Sequence, residues 1–121
     1  MATISKQLLS GSTTGLGIKL TDTGTSGNTD AGYLVHTAVT GTTDIDEIWI
    51  WAVNTDASAV LLTVEFGGVT SPDNIITISL QPNEPTLVVP GLPLQNGLLV
   101  KAFAGTANKI IVYGYVNRMD I

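Results

Sequence analysis

Asp22-Thr23-Gly24-Thr25-Ser26 is the string in this sequence that most resembles a catalytic element. An Asp-Thr-Gly turn presents a carboxylate for acid–base hydrolysis of peptides, provided that a second carboxylate shares its proton. A chain of 121 residues could supply the second group only by homodimerising. The chemistry also needs an apolar pair before the aspartate and a later apolar-apolar-Gly element. Here Leu20-Thr21 precedes Asp22, the nearest later match is Val112-Tyr113-Gly114, and a polar loop follows Ser26. A homodimeric aspartic protease acting through Asp22 is therefore kept only as an alternative. The same loop, Asp22 to Tyr33, has Gly27 at the turn position of a calcium loop, but Gly24 and Tyr33 fall where oxygen ligands are required.

His36 is the one histidine and the chain has no cysteine, so neither a nucleophilic triad nor a metal centre can be built around it. It reads as a hydrogen-bonded strand histidine. Asp44, Asp46 and Glu47 read as a solvated strand entrance with ordinary turn chemistry. Trp49 and Trp51 alternate onto one face and could stack on sugar rings, yet few charged groups lie nearby to bind hydroxyls, which favours packing in a core or interface. Gly15-Leu16-Gly17 is too short for a phosphate-binding loop. No catalytic residue, metal ligand or cofactor site is expected, and the chain reads as non-enzymatic.

The elements that hold these residues follow from composition and spacing. Short β-rich runs recur about every ten residues between turn clusters, and no helix-length amphipathic pattern interrupts them. The candidate strands are 16–20, 33–39, 45–54, 59–66, 74–81, 86–89, 98–104 and 109–117. Eight strands suit an all-β, jelly-roll-like antiparallel sandwich. Gly67-Gly68, Ser71-Pro72-Asp73-Asn74 and Gln81-Pro82-Asn83-Glu84-Pro85 supply the turns, and Asn96-Gly97 is a type I′ hairpin signal. Residues 1–15 read as an extended N-terminal arm with apolar anchors, and 16–121 as a single sandwich domain.

Only 12% of residues are charged, about half the share in an ordinary soluble domain, while 44% are hydrophobic and the mean hydropathy is +0.34. That balance dresses a lone monomer poorly and implies surface covered by other chains. The net charge of −5, with five scattered cations, argues against a nucleic-acid partner. No apolar run approaches a membrane span, and Met1 to Lys6 lacks the apolar stretch of a secretory leader, so synthesis and assembly in a host cytoplasm are expected.

Facial alternation sharpens the point. In 59–66, Val60, Leu62, Val64 and Phe66 oppose Leu61, Thr63 and Glu65, the pattern of a strand covered on one side. In 48–53 and 109–116 both faces are apolar: Trp49 and Trp51 oppose Ile48 and Ile50, and Tyr113 and Tyr115 oppose Val112 and Val116. A two-layer sandwich covers one face of each sheet. Trp49, Trp51, Tyr113 and Tyr115 are thus the candidate subunit-interface residues, with cover by loops of the same chain as the alternative.

Five blocks carry a family likeness: Ile4-Ser5-Lys6-Gln7-Leu8-Leu9-Ser10; Thr43 to Trp49 and on through Asn54-Thr55-Asp56; Leu61 with Thr63 to Gly68; Pro90 to Gly97; and Gly114-Tyr115-Val116-Asn117-Arg118. In these the chain resembles small virion structural proteins of tailed bacteriophages, the β-sandwich decoration or cement proteins on the capsid exterior. The resemblance implies a non-enzymatic homotrimer that bridges neighbouring major capsid subunits. Ile4, Lys6, Leu8 and Leu9 of the arm are then the candidate capsid contacts. Another virion module, a tail or fibre component or a glycan-binding tip, is the alternative.

Overall fold

The computed structural model describes residues 2–24 and 32–121, and these form two antiparallel sheets without a helix. In chain order the strands are β1 (Thr3–Leu8), β2 (Ile18–Lys19), β3 (Tyr33–Thr37), β4 (Ile45–Asn54), β5 (Val60–Phe66), β6 (Ile75–Leu80), β7 (Thr86–Leu94), β8 (Leu99–Ala104) and β9 (Ile110–Asp120). One sheet runs β1-β9-β4-β7, with β2 also on β9, and the other runs β3-β8-β5-β6. Because β1 and β2 pair with successive stretches of the same side of β9, they act as two halves of one edge strand. Counted so, the molecule is an eight-stranded jelly roll, in which successive strands from β2 to β9 cross between or fold back within the two sheets.

The alternation of apolar residues decides which side of each strand faces the other sheet. Ile48, Ile50 and Ala52 of β4, Val112 and Val116 of β9, and Val89 of β7 point inward from the first sheet. Val60, Leu62 and Val64 of β5 and Val100, Ala102 and Ala104 of β8 meet them from the second. Together with Leu9, Leu20, Val35 and Leu80 they make one contiguous core. The longest pairing, β4 on β9, runs from Ile45 opposite Met119 to Asn54 opposite Ile110. Close approach there depends on Gly114, whose missing Cβ would land on the Trp49 carbonyl oxygen and 3.1 Å from Ile50 Cα.

Three sequence expectations are corrected. The arm is extended, but its first residues lie in the sheet: Thr3–Leu8 pair with Leu8 opposite Tyr115 and Thr3 opposite Asp120. Backbone bonding to β9 satisfies donors and acceptors that a free arm would leave to water. Asn96 and Gly97 do take positive φ, at 65° and 67°, yet they join β7 of one sheet to β8 of the other, so the turn changes sheets and closes no hairpin. Finally, Thr63 and Glu65 on the outer side of β5 are buried, as is Phe103 beside Thr63. Gly32, just before β3, packs on this side so closely against Glu65 and Lys101 that a Cβ there would fall 2.5 Å from Lys101 Cβ.

Candidate functional site

Two groups of residues stand apart from the apolar core. The first is a polar cluster buried at one end of the sandwich. Asp46 follows the inward phase of β4 and is fully buried, opposite Arg118 of β9. Its Oδ1 accepts from Arg118 Nε at 2.7 Å, and its Oδ2 accepts from Arg118 Nη2 at 2.9 Å, from the Val39 amide at 3.0 Å and from His36 Nε2 at 2.8 Å. Burial pushes the Asp46 carboxyl up, but the donors of Arg118 and His36 outweigh it and hold the group below the ordinary carboxylate range. The same contact raises Arg118.

The tautomer of His36 follows from its neighbours. The Ser10 amide donates to Nδ1 at 3.0 Å, so Nδ1 carries no proton, and the ring N–H must sit on Nε2 and point at Asp46. Both nitrogens are thereby occupied and the ring is 1% exposed. A histidine held in this way has no nitrogen free to take a proton from a substrate. Instead it ties β3 to β4, β9 and the turn after β1, a tie that Ser10 Oγ extends by accepting from the Thr37 amide at 2.6 Å. The acidic run read as solvated is thus split by strand phase. Asp46 is inside, whereas Asp44 caps the C-terminal residue by accepting from the Ile121 amide at 3.0 Å.

The second group is the outer side of the β1-β9-β4-β7 sheet. Odd-numbered residues of β4 and β9 face outward here, and register pairs Trp49 with Tyr115, Trp51 with Tyr113 and Ile45 with Met119. The even residues of β1 join them, Leu8 opposite Tyr115, Lys6 opposite Asn117 and Ile4 opposite Met119. On the other flank β7 sets Leu87 opposite Trp51 and Pro90 opposite Trp49. The Trp49, Trp51 and Tyr115 ring centroids lie 6.0–6.4 Å apart in all three pairs, with planes inclined by 18–27°. Three equal separations describe a triangular patch, since a column would place its outer rings at twice the inner spacing.

Small residues let the rings settle on the sheet. Gly91, at φ +72°, lies so close under Trp49 that a Cβ would be 2.7 Å from the indole, and Gly17 does the same for Tyr113. Trp49 Nε1 donates to Glu47 Oε1 at 2.8 Å, and Asn117 Nδ2 donates to the same oxygen at 3.1 Å. These donors, that of Trp49 foremost, hold Glu47 below the usual range. Lys6 Nζ sits 4.4 Å from the Tyr115 centroid, a cation–π contact. The rings are half-buried by one another, while Tyr113, Leu8 and Ile4 stand 45%, 56% and 70% exposed. No described segment of the chain crosses over them.

The structure therefore gathers Ile4, Lys6, Leu8, Trp49, Trp51, Tyr113 and Tyr115 onto a single surface, although the sequence assigned them to two separate roles. Leu9 is the exception and a correction: it takes the next, inward phase, is 1% exposed and belongs to the core, so it cannot touch a partner. Adjacent leucines in a strand must face opposite ways, and that signal was present in Leu8-Leu9. Sequence reasoning missed Arg118 and Asp46 as partners, because an ion pair across 72 positions leaves no local pattern. Residues 25–31 of the Asp-Thr-Gly and calcium-like strings lie outside the described residues. Among the described residues no three His, Cys, Asp or Glu side chains converge as a metal site. A cleft of about 250 Å³ between 67–69 and 97–101 is walled mainly by glycine, valine and leucine, with Glu65 and Lys101 also in its lining. Comparison with family models, with curated proteins and with solved structures finds no match to this chain.

Proposed function

We propose that this chain is a non-enzymatic structural protein of a tailed-phage virion, a decoration or cement protein that assembles as a homotrimer on the capsid exterior and bridges major capsid subunits. The observation that carries the assembly part is the outer side of the β1-β9-β4-β7 sheet, where an aromatic patch merges with exposed leucine and isoleucine and no described segment forms a covering layer. Each large side chain buried there by a neighbour contributes about 1.5–3 kcal/mol. The placement on a phage head rests on the sequence blocks that resemble decoration proteins. The surface belongs to assembly with other protein, because its polar groups, Glu47, Asn117 and Lys6, are already engaged with the rings and with each other.

Light scattering of the purified chain, followed by co-sedimentation with undecorated heads, tests the reading. The expected result is a defined oligomer that binds heads stoichiometrically and is lost with Tyr113→Glu. A monomer at all concentrations that never sediments with heads overturns it.

A further inference from the structure

The four sheet edges of this jelly roll are not treated alike. On β7, Pro90 and Pro93 lack amide donors and the register with β4 slips twice. β3 is five residues long with a slip between Leu34 and His36, and the β1/β2 edge is broken by the residues between Leu8 and Ile18. Interruptions of this kind are how sheets avoid pairing with other chains. β6 has none of them. Ile75-Ile76-Thr77-Ile78-Ser79-Leu80 contains no proline, glycine or charge, and pairs with β5 without a slip from Glu65 opposite Ile75 to Val60 opposite Leu80.

The phase of the ladder shows which backbone groups face outward. Phe66 N–H donates to Asn74 C=O at 2.8 Å, so position 74 bonds toward β5, and in an antiparallel ladder positions 76, 78 and 80 do the same. Thr77 and Ser79 therefore direct their amides and carbonyls to the free edge, as Ile75 does its carbonyl, while the Ile75 amide donates to Pro72 C=O at 3.2 Å within the preceding turn. A second observation points to the same flank. Ile76 and Ile78 of β6 and Leu92 and Leu94 of β7 face the interior yet are only partly buried. The sandwich is thus open along its β6–β7 side, where five residues carry the chain from one sheet to the other.

We infer that β6 is a self-pairing edge, at which a second copy of this chain adds its own β6 antiparallel about a dyad at Thr77. This goes beyond the assembly surface proposed above and does not rest on it. Matching the outward groups requires odd positions to oppose odd positions, and a dyad at Thr77 does so with the greatest overlap: Thr77 meets Thr77 and Ile75 meets Ser79. Ile76 then lies opposite Ile78 on the inner side, which extends the core across the seam. Charge allows the approach despite a chain total of −5. The flanking acids Asp73 and Glu84 fall opposite Gln81 and Thr70, so no acid meets an acid. The two four-stranded sheets become one of eight strands.

Residue-resolved amide exchange, followed from dilute to concentrated protein, tests this together with Thr77→Lys, which sets like charges face to face at the dyad from an exposed position, and Thr77→Pro, which removes an outward donor. In the native chain the Thr77 and Ser79 amides should slow by about tenfold or more on concentration, while Ile76 and Ile78, already bonded to β5, stay slow throughout. Thr77→Lys should abolish the concentration dependence with the melting temperature unchanged, so the test stands even if Thr77→Pro does not fold. The readout is local to β6, so association through the aromatic surface does not produce it. Outward amides that exchange equally fast at every concentration, or protection that survives Thr77→Lys, overturn the inference.

Discussion

Asp46 shows how one buried carboxylate can organise several strands. Four N–H groups from β3, β9 and the segment after β3 converge on it, and each charge-assisted bond is worth more than a neutral one. Asp46→Asn keeps the shape but leaves Arg118 without its counter-charge, so at neutral pH the variant should lose about 2–4 kcal/mol, read as a lower urea midpoint at unchanged slope. Because the folded protein holds this carboxyl below its ordinary value of 3.8, the unfolded chain takes up the proton more readily in acid. The contribution of Asp46 is therefore complete above that value and is lost as pH falls through the lower, folded one. Urea titrations between about pH 2 and pH 7 should show native stability falling below about pH 4, and a flatter acid limb in Asp46→Asn. Equal acid limbs would mean that the network does not couple to folding.

At the level of strands, Gly91 decides how the aromatic patch lies. It combines φ +72° with direct contact under the Trp49 indole. Gly91→Ala should cost about 1–3 kcal/mol through backbone strain and should lift the ring, seen as a red shift of tryptophan emission and a changed near-ultraviolet circular dichroism spectrum. Unaltered spectra would show that the ring does not rest on this residue. The all-β sandwich and most strands were legible in the sequence because alternation and turn residues are local. Which outer side is covered was not. Thr63 and Glu65 on β5 read as solvent-facing yet are buried, with Gly32 packed on Glu65, whereas no described segment covers the outer rings of β4 and β9. Alternation reports what each face carries, while cover depends on where a distant segment crosses. The same limit hid Arg118 from Asp46 and placed β1 outside the sheet, since Thr3–Leu8 has too few apolar residues to announce a strand that only β9 makes possible.

The whole molecule exposes 6147 Å², close to the roughly 6,200 Å² of a compact monomer of this mass. Its shape is therefore ordinary, and the excess lies in the chemistry of one surface. If that surface assembles the protein, a charge placed on it must act differently from the same charge placed elsewhere. Leu8 on the aromatic side and Leu61 on the outer side of the other sheet make the comparison fair, being 56% and 43% exposed. Leu8→Glu and Leu61→Glu each add one negative charge and should each alter unfolding free energy by no more than about 0.5 kcal/mol, since neither side chain is in the core. Sedimentation equilibrium should show Leu8→Glu shifted toward monomer and Leu61→Glu unchanged, because burying an unpaired carboxylate between copies costs several kcal/mol. Like-charge repulsion between acidic chains would weaken both variants equally and would fade with added salt. A loss confined to Leu8→Glu and resistant to salt locates the contact on the face that also carries Trp49, Trp51 and Tyr115.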